Sequence, residues 1–577
     1  MHIPRVALRA AAVAPVLLAA ALLGACNRAP GPDDPAPPAV SAQPEWFEDA
    51  TDALGARFTH DPGPTGAYPM PQSMGSGVAA FDADGDGRVD LYFLTFGGAD
   101  SPNTNKLFLQ REPGKFADAS AGSGTDLRGR FHGVAVGDTN NDGKPDLLLT
   151  GPGTIKLLLN RGNGQFADAT AESGIANLLW GTSAAFFDYD LDGHLDLFVA
   201  NYLDYDPKVE CRSPGGNLDF CGPNSYVGTA SKLFRNVTAA PGGAPKFEDV
   251  SLPTGIGKVR GPGLGVTILD ADGDGRPDVF VANDGKPNHL WVNQKDGTFA
   301  EEAVSRGVAF TGMGKAFANM GIAAGDADND GLIDLFVTHL GTETNTLWRQ
   351  GPRGQFRDRT LESGLGAPKW RGTGFGTLMA DFNHDGNQDI VVANGRVARG
   401  GPASGTDLGF WETYAEKNQL FVGDGTGKFD DRSPDSPALC GYWNVGRGLA
   451  RADLNGDGAP DLIVVPIGAP ARVLRNVAPN RGHWLAVRAR DANLNRDALG
   501  AEVRVRAGGR EFVRLIAPAD SYLCSSEPVA HFGLGSAETV EWVRVTWPDG
   551  TGARSETFPG GAADRALVLT RGAGKAP

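Results

Sequence analysis

A nine-residue pattern recurs seven times along the chain and restricts it to folds that grow by adding one unit to the next. It reads DADGDGRVD from Asp82, DTNNDGKPD from Asp138, DYDLDGHLD from Asp188, DADGDGRPD from Asp270, DADNDGLID from Asp326, DFNHDGNQD from Asp381 and DLNGDGAPD from Asp453. Positions 1, 3, 5 and 9 carry side-chain oxygen and position 6 is Gly, as a tight loop around a hard cation requires. Calcium is the expected ion, up to seven in all. The expected side-chain ligands are Asp82, Asp84, Asp86 and Asp90; Asp138, Asn140, Asp142 and Asp146; Asp188, Asp190, Asp192 and Asp196; Asp270, Asp272, Asp274 and Asp278; Asp326, Asp328, Asp330 and Asp334; Asp381, Asn383, Asp385 and Asp389; and Asp453, Asn455, Asp457 and Asp461. The carbonyl of position 7 would complete each shell. Asn140, Asn383 and Asn455 lower the ligand charge of their loops, which predicts weaker binding there.

The loops begin at intervals of 56, 50, 82, 56, 55 and 72 residues, so a unit of about 55 recurs with two enlarged copies. That period suits one four-stranded propeller blade. Each loop is preceded by a small-residue apolar run such as Gly77-Val78-Ala79-Ala80-Phe81 and followed by a second run such as Asp90-Leu91-Tyr92-Phe93. A loop between two β-type runs is a hairpin connection, unlike the helix-flanked calcium loop. Gly stands five residues before the first Asp in six copies, Ser183 being the exception, as expected where inner strands crowd an axis. A third run follows (Lys106-Leu107-Phe108), then a fourth in which Phe precedes an acid by two (Phe116-Ala117-Asp118). The seventh unit lacks that fourth run, whereas Trp46-Phe47-Glu48-Asp49 has the pattern and no unit of its own. The N-terminal segment 45–51 is therefore expected to complete the last blade and close a seven-bladed propeller spanning 45–479.

The formal net charge of −16 belongs largely to these loops, which hold 25 of the 69 acidic side chains. Seven divalent ions would bring it to about −2. Nothing here has the basic face of a nucleic-acid binder. Arg5 and Arg9 precede an apolar run from Ala10 to Leu23, read as a secretory signal over 1–25. The run ends in Leu23-Gly24-Ala25-Cys26, which resembles a bacterial lipobox and implies lipidation of Cys26. Residues 26–44, rich in proline, read as a tether. Asn27 after the Cys resembles the sorting signal for the outer membrane of a bacterial envelope.

In an oxidising compartment Cys211 and Cys221, ten apart in one insertion, are expected to pair, and Cys440 could pair with Cys524. The two enlargements, Asn201 to Ser231 and Asn394 to Lys417, should emerge opposite the calcium loops, where they either contact a partner or pack between adjacent blades. Beyond His483 short alternating runs suggest a small β-sandwich over 480–572, followed by a tail at 573–577.

The seven loops with Gly-led strands resemble FG-GAP or VCBS repeats, the integrin-type propeller. Asn495-Arg496-Asp497-Ala498-Leu499-Gly500-Ala501, Ser521-Tyr522-Leu523, His531-Phe532-Gly533-Leu534-Gly535 and Trp547-Pro548-Asp549-Gly550 resemble the ASPIC/UnbV domain. Together they resemble the cartilage acidic protein family in its bacterial lipoprotein form. That resemblance implies an extracytoplasmic calcium-binding protein and assures no chemistry. Cys524 departs from the polar residue expected after the Tyr-Leu pair.

Segments leading into the inner strands carry Arg130, Arg260, Lys315, Lys369, Arg371 and Arg447 beside Trp180, Trp370 and Trp443. These cations could converge on a central funnel and hold an anionic ligand, or be loop charges in solvent. The chain lacks HExxH, GxSxG and paired CxxC motifs. The expected function is a lipid-anchored binding or adhesion module for an extracellular protein or glycan. The alternative is a calcium-dependent lyase, hydrolase or cyclase at the funnel, with His132 or His339 as base.

Overall fold

In a computed structural model, the structure describes residues 44–577 except 402, 404, 405, 518, 549–554 and 577. The signal, Cys26 and the tether up to residue 43 lie outside the described residues. The chain is all-β. Each calcium-type loop joins two antiparallel strands, and the runs read from sequence form seven four-stranded sheets with one strand order. In the first sheet Val78–Phe81, Asp90–Phe93, Lys106–Glu112 and Lys115–Asp118 pair in sequence. Strands one and two are buried on both faces, so they are continuously apolar. The fourth alternates, with Phe116 turned inward and its neighbours out.

The first strands make a ring. Val78–Phe81 touches Val134–Gly137, and contacts continue through Gly181–Phe187, Gly263–Leu269, Ile322–Gly325 and Gly374–Ala380 to Gly446–Ala452, which returns to Val78–Phe81. The small residue five before each loop permits this approach. A Cβ on Gly133 would overlap the Thr182 carbonyl of the next sheet, on Gly265 that of Met320, and on Gly321 that of Phe375. The ring is sealed as expected: Phe47–Asp49 pairs antiparallel with Arg472–Asn476, Phe47 opposite Asn476, and takes the fourth place in the seventh sheet. Asp49 then binds Arg472 at 2.7 Å, as Asp118 binds Lys106 at 3.0 Å in the first sheet.

Side-chain amides at the end of the third strands tie neighbouring sheets together. Asn160 Nδ2 donates to Pro145 O of its own sheet and to Ala83 O of the preceding one. Asn236, Asn293 and Asn476 do the same to Thr139, Tyr189 and Phe382.

After Asn476 the chain forms two further four-stranded sheets. His483–Asp491 lies between Ala530–Gly535 and a parallel Arg565–Thr570, while Glu502–Ala507 lies between Arg510–Leu515 and Thr539–Thr546. Alternation places Val487, Ala489, Val503, Val505, Phe532, Val543 and Val545 in one shared core.

Candidate metal sites and the closed axis

Within each loop the backbone is wound around the carboxylates. Asp82 Oδ1 accepts from the Gly85 and Asp86 amides and Oδ2 from Gly87, while Asp86 Oδ1 accepts from Arg88. Gly87 sits at φ +87°, the left-handed conformation that reserves position 6 for glycine. Four loops bring three carboxylates together with ligand oxygens within 4.8 Å of one another: Asp82, Asp84 and Asp86; Asp188, Asp190 and Asp196; Asp270, Asp272 and Asp278; and Asp326, Asp328 and Asp334. The other three loops are those with Asn140, Asn383 or Asn455 at position 3. In the third and fifth loops Asp188 Oδ1, Asp190 Oδ1 and Asp328 Oδ1 are buried with no donor. Burial pushes the pKa of Asp188 up to about 7, and those of Asp270 and Asp326 up to about 6. Oxygen-only donors, converging and short of hydrogens, fit a hard divalent cation.

Position 9 has a second task. Asp90 Oδ2 accepts from the Ala83 amide and Oδ1 from the Gln110 amide, so one carboxylate knots the loop to the third strand. Asp146, Asp196, Asp278, Asp334, Asp389 and Asp461 repeat the knot. The third-strand residue at the other end of the knot donates its backbone N–H, and it is Gln110, Asn160, Asn236, Asn293, Gln350 and Asn476 in six sheets and Gly423 in the other.

The loop face is partly covered, the first loop staying exposed at Gly85–Gly87. Asn495 lies over Gly143, Leu494 over Gly193, Arg510 and Phe512 over Gly386, and Trp484 over Gly458, each where a Cβ would collide. Arg504 donates to Gly331 O and His531 contacts Gly458 O at 2.6 Å. Position 6 of these loops thus serves the turn and the docking of the C-terminal sheets.

The axis is filled as well. Residues 519–525 run between the first strands: Ser521 exchanges backbone hydrogen bonds with Ile322, Leu523 O accepts from Val134 N, and Ser525 exchanges with Val78 and Ala80. Ser183, the exception to the glycine rule, uses its hydroxyl to accept from Leu523 N at 3.1 Å. Tyr522 and Leu523 are buried among Met70, Met74, Trp180, Leu264, Met320 and Phe375.

The expected funnel residues divide accordingly. Arg447 is fully buried, donates to the carbonyls of Ser73, Gly395 and Gly446, and stacks 3.8 Å from the Phe375 ring centroid. It is part of the stopper and cannot bind an outside ligand. Arg130, Arg260, Lys315, Lys369 and Arg371 are exposed, and Arg371 is pinned to the Glu343 and Gly366 carbonyls. His132 and His339 are buried without exposed surface: His132 bonds Gly75 O and stacks on Phe96, and His339 bonds Ala318 O and Thr346 Oγ1. Burial lowers both pKa values to about 4, so neither is placed as a base toward solvent.

The two enlargements emerge opposite the loops, where each pairs with the next blade (Thr229–Ala230 with Arg260–Gly261, and Glu416 with Asn444) and the two also pack against each other. Tyr414 Oη donates to Asp219 at 2.6 Å, Arg399 N donates to the same carboxylate, and Phe220 stacks on Trp411 with ring centroids 5.8 Å apart. Cys211 and Cys221 form the expected disulfide. Cys440 and Cys524 are separate buried thiols, Cys440 in the core between the sixth and seventh sheets and Cys524 on the axis.

A family model described as FG-GAP-like repeat matches residues 82–149, 138–199, 270–337 and 326–392, and one described as ASPIC and UnbV matches 491–576. The chain joins FG-GAP-like repeats to an ASPIC and UnbV domain. The repeat matches fall on the first six sheets, and residues 519–525 in the axis and Arg504, Arg510 and Phe512 over the loops lie within the ASPIC and UnbV match. Cartilage acidic protein 1 of Xenopus tropicalis is 27% identical over 83% of this chain and 62% of its own length. The Homo sapiens protein of that name is 27% identical over 83% of this chain and 60% of its own. The chain thus spans about three fifths of these relatives. Among solved structures, a lectin of Agrocybe aegerita aligns at 16% identity over 71% of this chain and 89% of its own, with a TM-score of 0.36. No helix among the described residues is long and apolar enough to cross a membrane.

Proposed function

We propose that this chain is a calcium-stapled, seven-bladed propeller with a C-terminal β-sandwich, anchored through a lipid on Cys26 to a bacterial envelope, most naturally the outer membrane. It acts as a binding or adhesion module. The observation that carries the calcium reading is the set of buried, donorless oxygens of Asp188, Asp190 and Asp328. Replacing Asp at position 3 by Asn140, Asn383 and Asn455 leaves those three loops weaker sites. Excess chelator should lower the thermal midpoint of the full chain by many degrees, with calcium restoring it. An unchanged transition would refute the stapling. If calcium stood tenfold above each dissociation constant, each ion would add about 1.4 kcal/mol.

The partner is an extracellular protein or glycan, met on the face that carries Arg130, Arg260, Lys315, Lys369 and Arg371, because these cations stay exposed while the C-terminal sheets dock on most of the loops. Glycan-array and envelope-protein capture with the parent chain and Arg371→Ala tests this. Equal capture by both would count against that face. A catalytic funnel finds no support, since Tyr522 and Leu523 occupy the axis.

A further inference from the structure

Where the ASPIC and UnbV sheets meet the inner strands of the fifth, sixth and seventh sheets, the structure encloses a polar cavity of about 30 Å³. Ala323, Ala324, Leu378 and Met379 form its apolar wall, and Arg451, Arg514, Gln388, Asp520 and His531 its polar one. Protein interiors satisfy their polar groups, and an interior guanidinium without a partner is costly. Yet five polar atoms of these lining residues lack any hydrogen-bond partner: Arg514 Nε and Nη2, Gln388 Oε1, Asp520 Oδ1 and His531 Nδ1. Arg514 is 6% exposed and makes one bond, from Nη1 to Val513 O. Among the described residues no carboxylate lies within ion-pair distance of it. Asp326 and Asp381 face it from the loops as the nearest negative charges, and Arg451 and Arg510 add positive charge. If the contact between His531 Nε2 and Gly458 O, at 2.6 Å, is the ring's N–H donation, Nδ1 is left as an acceptor.

The unpaired Nε–Nη2 edge of Arg514 is the one on which a planar oxyanion accepts two parallel N–H···O bonds. The three orphan acceptors call for a donor on the same ligand. At about 10–15 Å³ of such volume per water the cavity takes the place of two or three waters, which limits a ligand to a few heavy atoms. We propose that this cavity binds one bicarbonate ion, a small planar oxyanion that carries its own proton. Its oxygens take the Arg514 edge and its O–H serves Gln388, Asp520 or His531. The anion would then bridge the C-terminal sheets to the inner strands and lock residues 519–525 in the axis.

The test uses the full chain. Protein dialysed at constant ionic strength against sodium chloride is melted in rising bicarbonate, formate, acetate or phosphate, and the anion released from denatured protein is quantified by ion chromatography. Expected are about one bicarbonate per chain and a thermal midpoint that rises with bicarbonate and less with formate, acetate or phosphate. Arg514→Lys, which keeps the charge and loses the fork, should abolish both. Gln388→Leu, outside the guanidinium, should weaken the response several-fold and serves if Arg514→Lys does not fold. No anion released and no rise above chloride for the parent chain would overturn the proposal and leave the cavity to water. So would a response to phosphate alone, or an unchanged response in both variants.

Discussion

A carboxylate in these loops answers to the backbone, to the candidate ion site, or to both, and substitution can separate the two. Asp334 accepts from Ala327 N at 3.0 Å and Gln350 N at 2.8 Å while buried. Asp334→Asn keeps one acceptor and strands one amide, so it should cost about 1–3 kcal/mol in chelator and more in calcium, because Asp334 also belongs to a converging carboxylate cluster. Asp84→Asn copies what Asn140 does in the second loop, and its pairing with the half-exposed Arg111 is worth little. It should therefore lower stability only in calcium, and denaturant titrations in both conditions check the contrast. The buried histidines set a pH dependence. Burial alone lowers the His289 pKa to about 4, so the unfolded chain takes up a proton near pH 6.5 that the folded chain refuses. Its contribution is full above about pH 6.5 and lost progressively as pH falls toward 4, up to about 3 kcal/mol. His289→Phe should flatten the loss of stability across that window. The converging carboxylates were legible at this scale because residue type and spacing carry the chemistry. The Asp334 knot was not, because the bonds that make it come from the main-chain amides of Ala327 and Gln350.

Among the elements, the strand Phe47–Asp49 was legible because its pattern, Phe two residues before an acid, repeats in six other places and the seventh unit lacks it. Removing residues 45–51 exposes the edge of Arg472–Asn476 and uncovers Phe47's place beside Phe382. The truncated chain should melt many degrees lower, and one that melts like the parent would show that the ring does not depend on this strand. Gly321→Ala should cost about 1–3 kcal/mol, because its Cβ meets the Phe375 carbonyl of the next sheet, which can move only by widening the ring. The insertions were half legible. Their length and face could be read, but the meeting of Asp219 with Tyr414 joins segments 195 residues apart, and no local pattern reports such a contact.

For the molecule as a whole, the C-terminal sheets are the part least visible in advance. Their alternation foretold strands, yet their seat on the loops depends on surfaces that exist only after both parts fold. Because Trp484, Arg504, Arg510 and Phe512 rest on loop backbone, emptying the loops should loosen that seat. Chelation should raise amide exchange in 519–525 along with the loops, and exchange confined to the loops would separate the two events. The expected charged funnel failed for the same physical reason: Arg447 and Tyr522 come from distant segments, and only the fold shows that they fill one axis.

The ring is joined by its earliest strand, Phe47–Asp49, and stoppered by residues 519–525 from the far end of the chain. During synthesis a ribosome must therefore deliver some 470 residues before either closure has both its partners. Through that interval six sheets wait with an unpaired margin. Whatever attends the growing chain must shield that margin, and once both closures form, unfolding has to undo the oldest and the youngest contacts together.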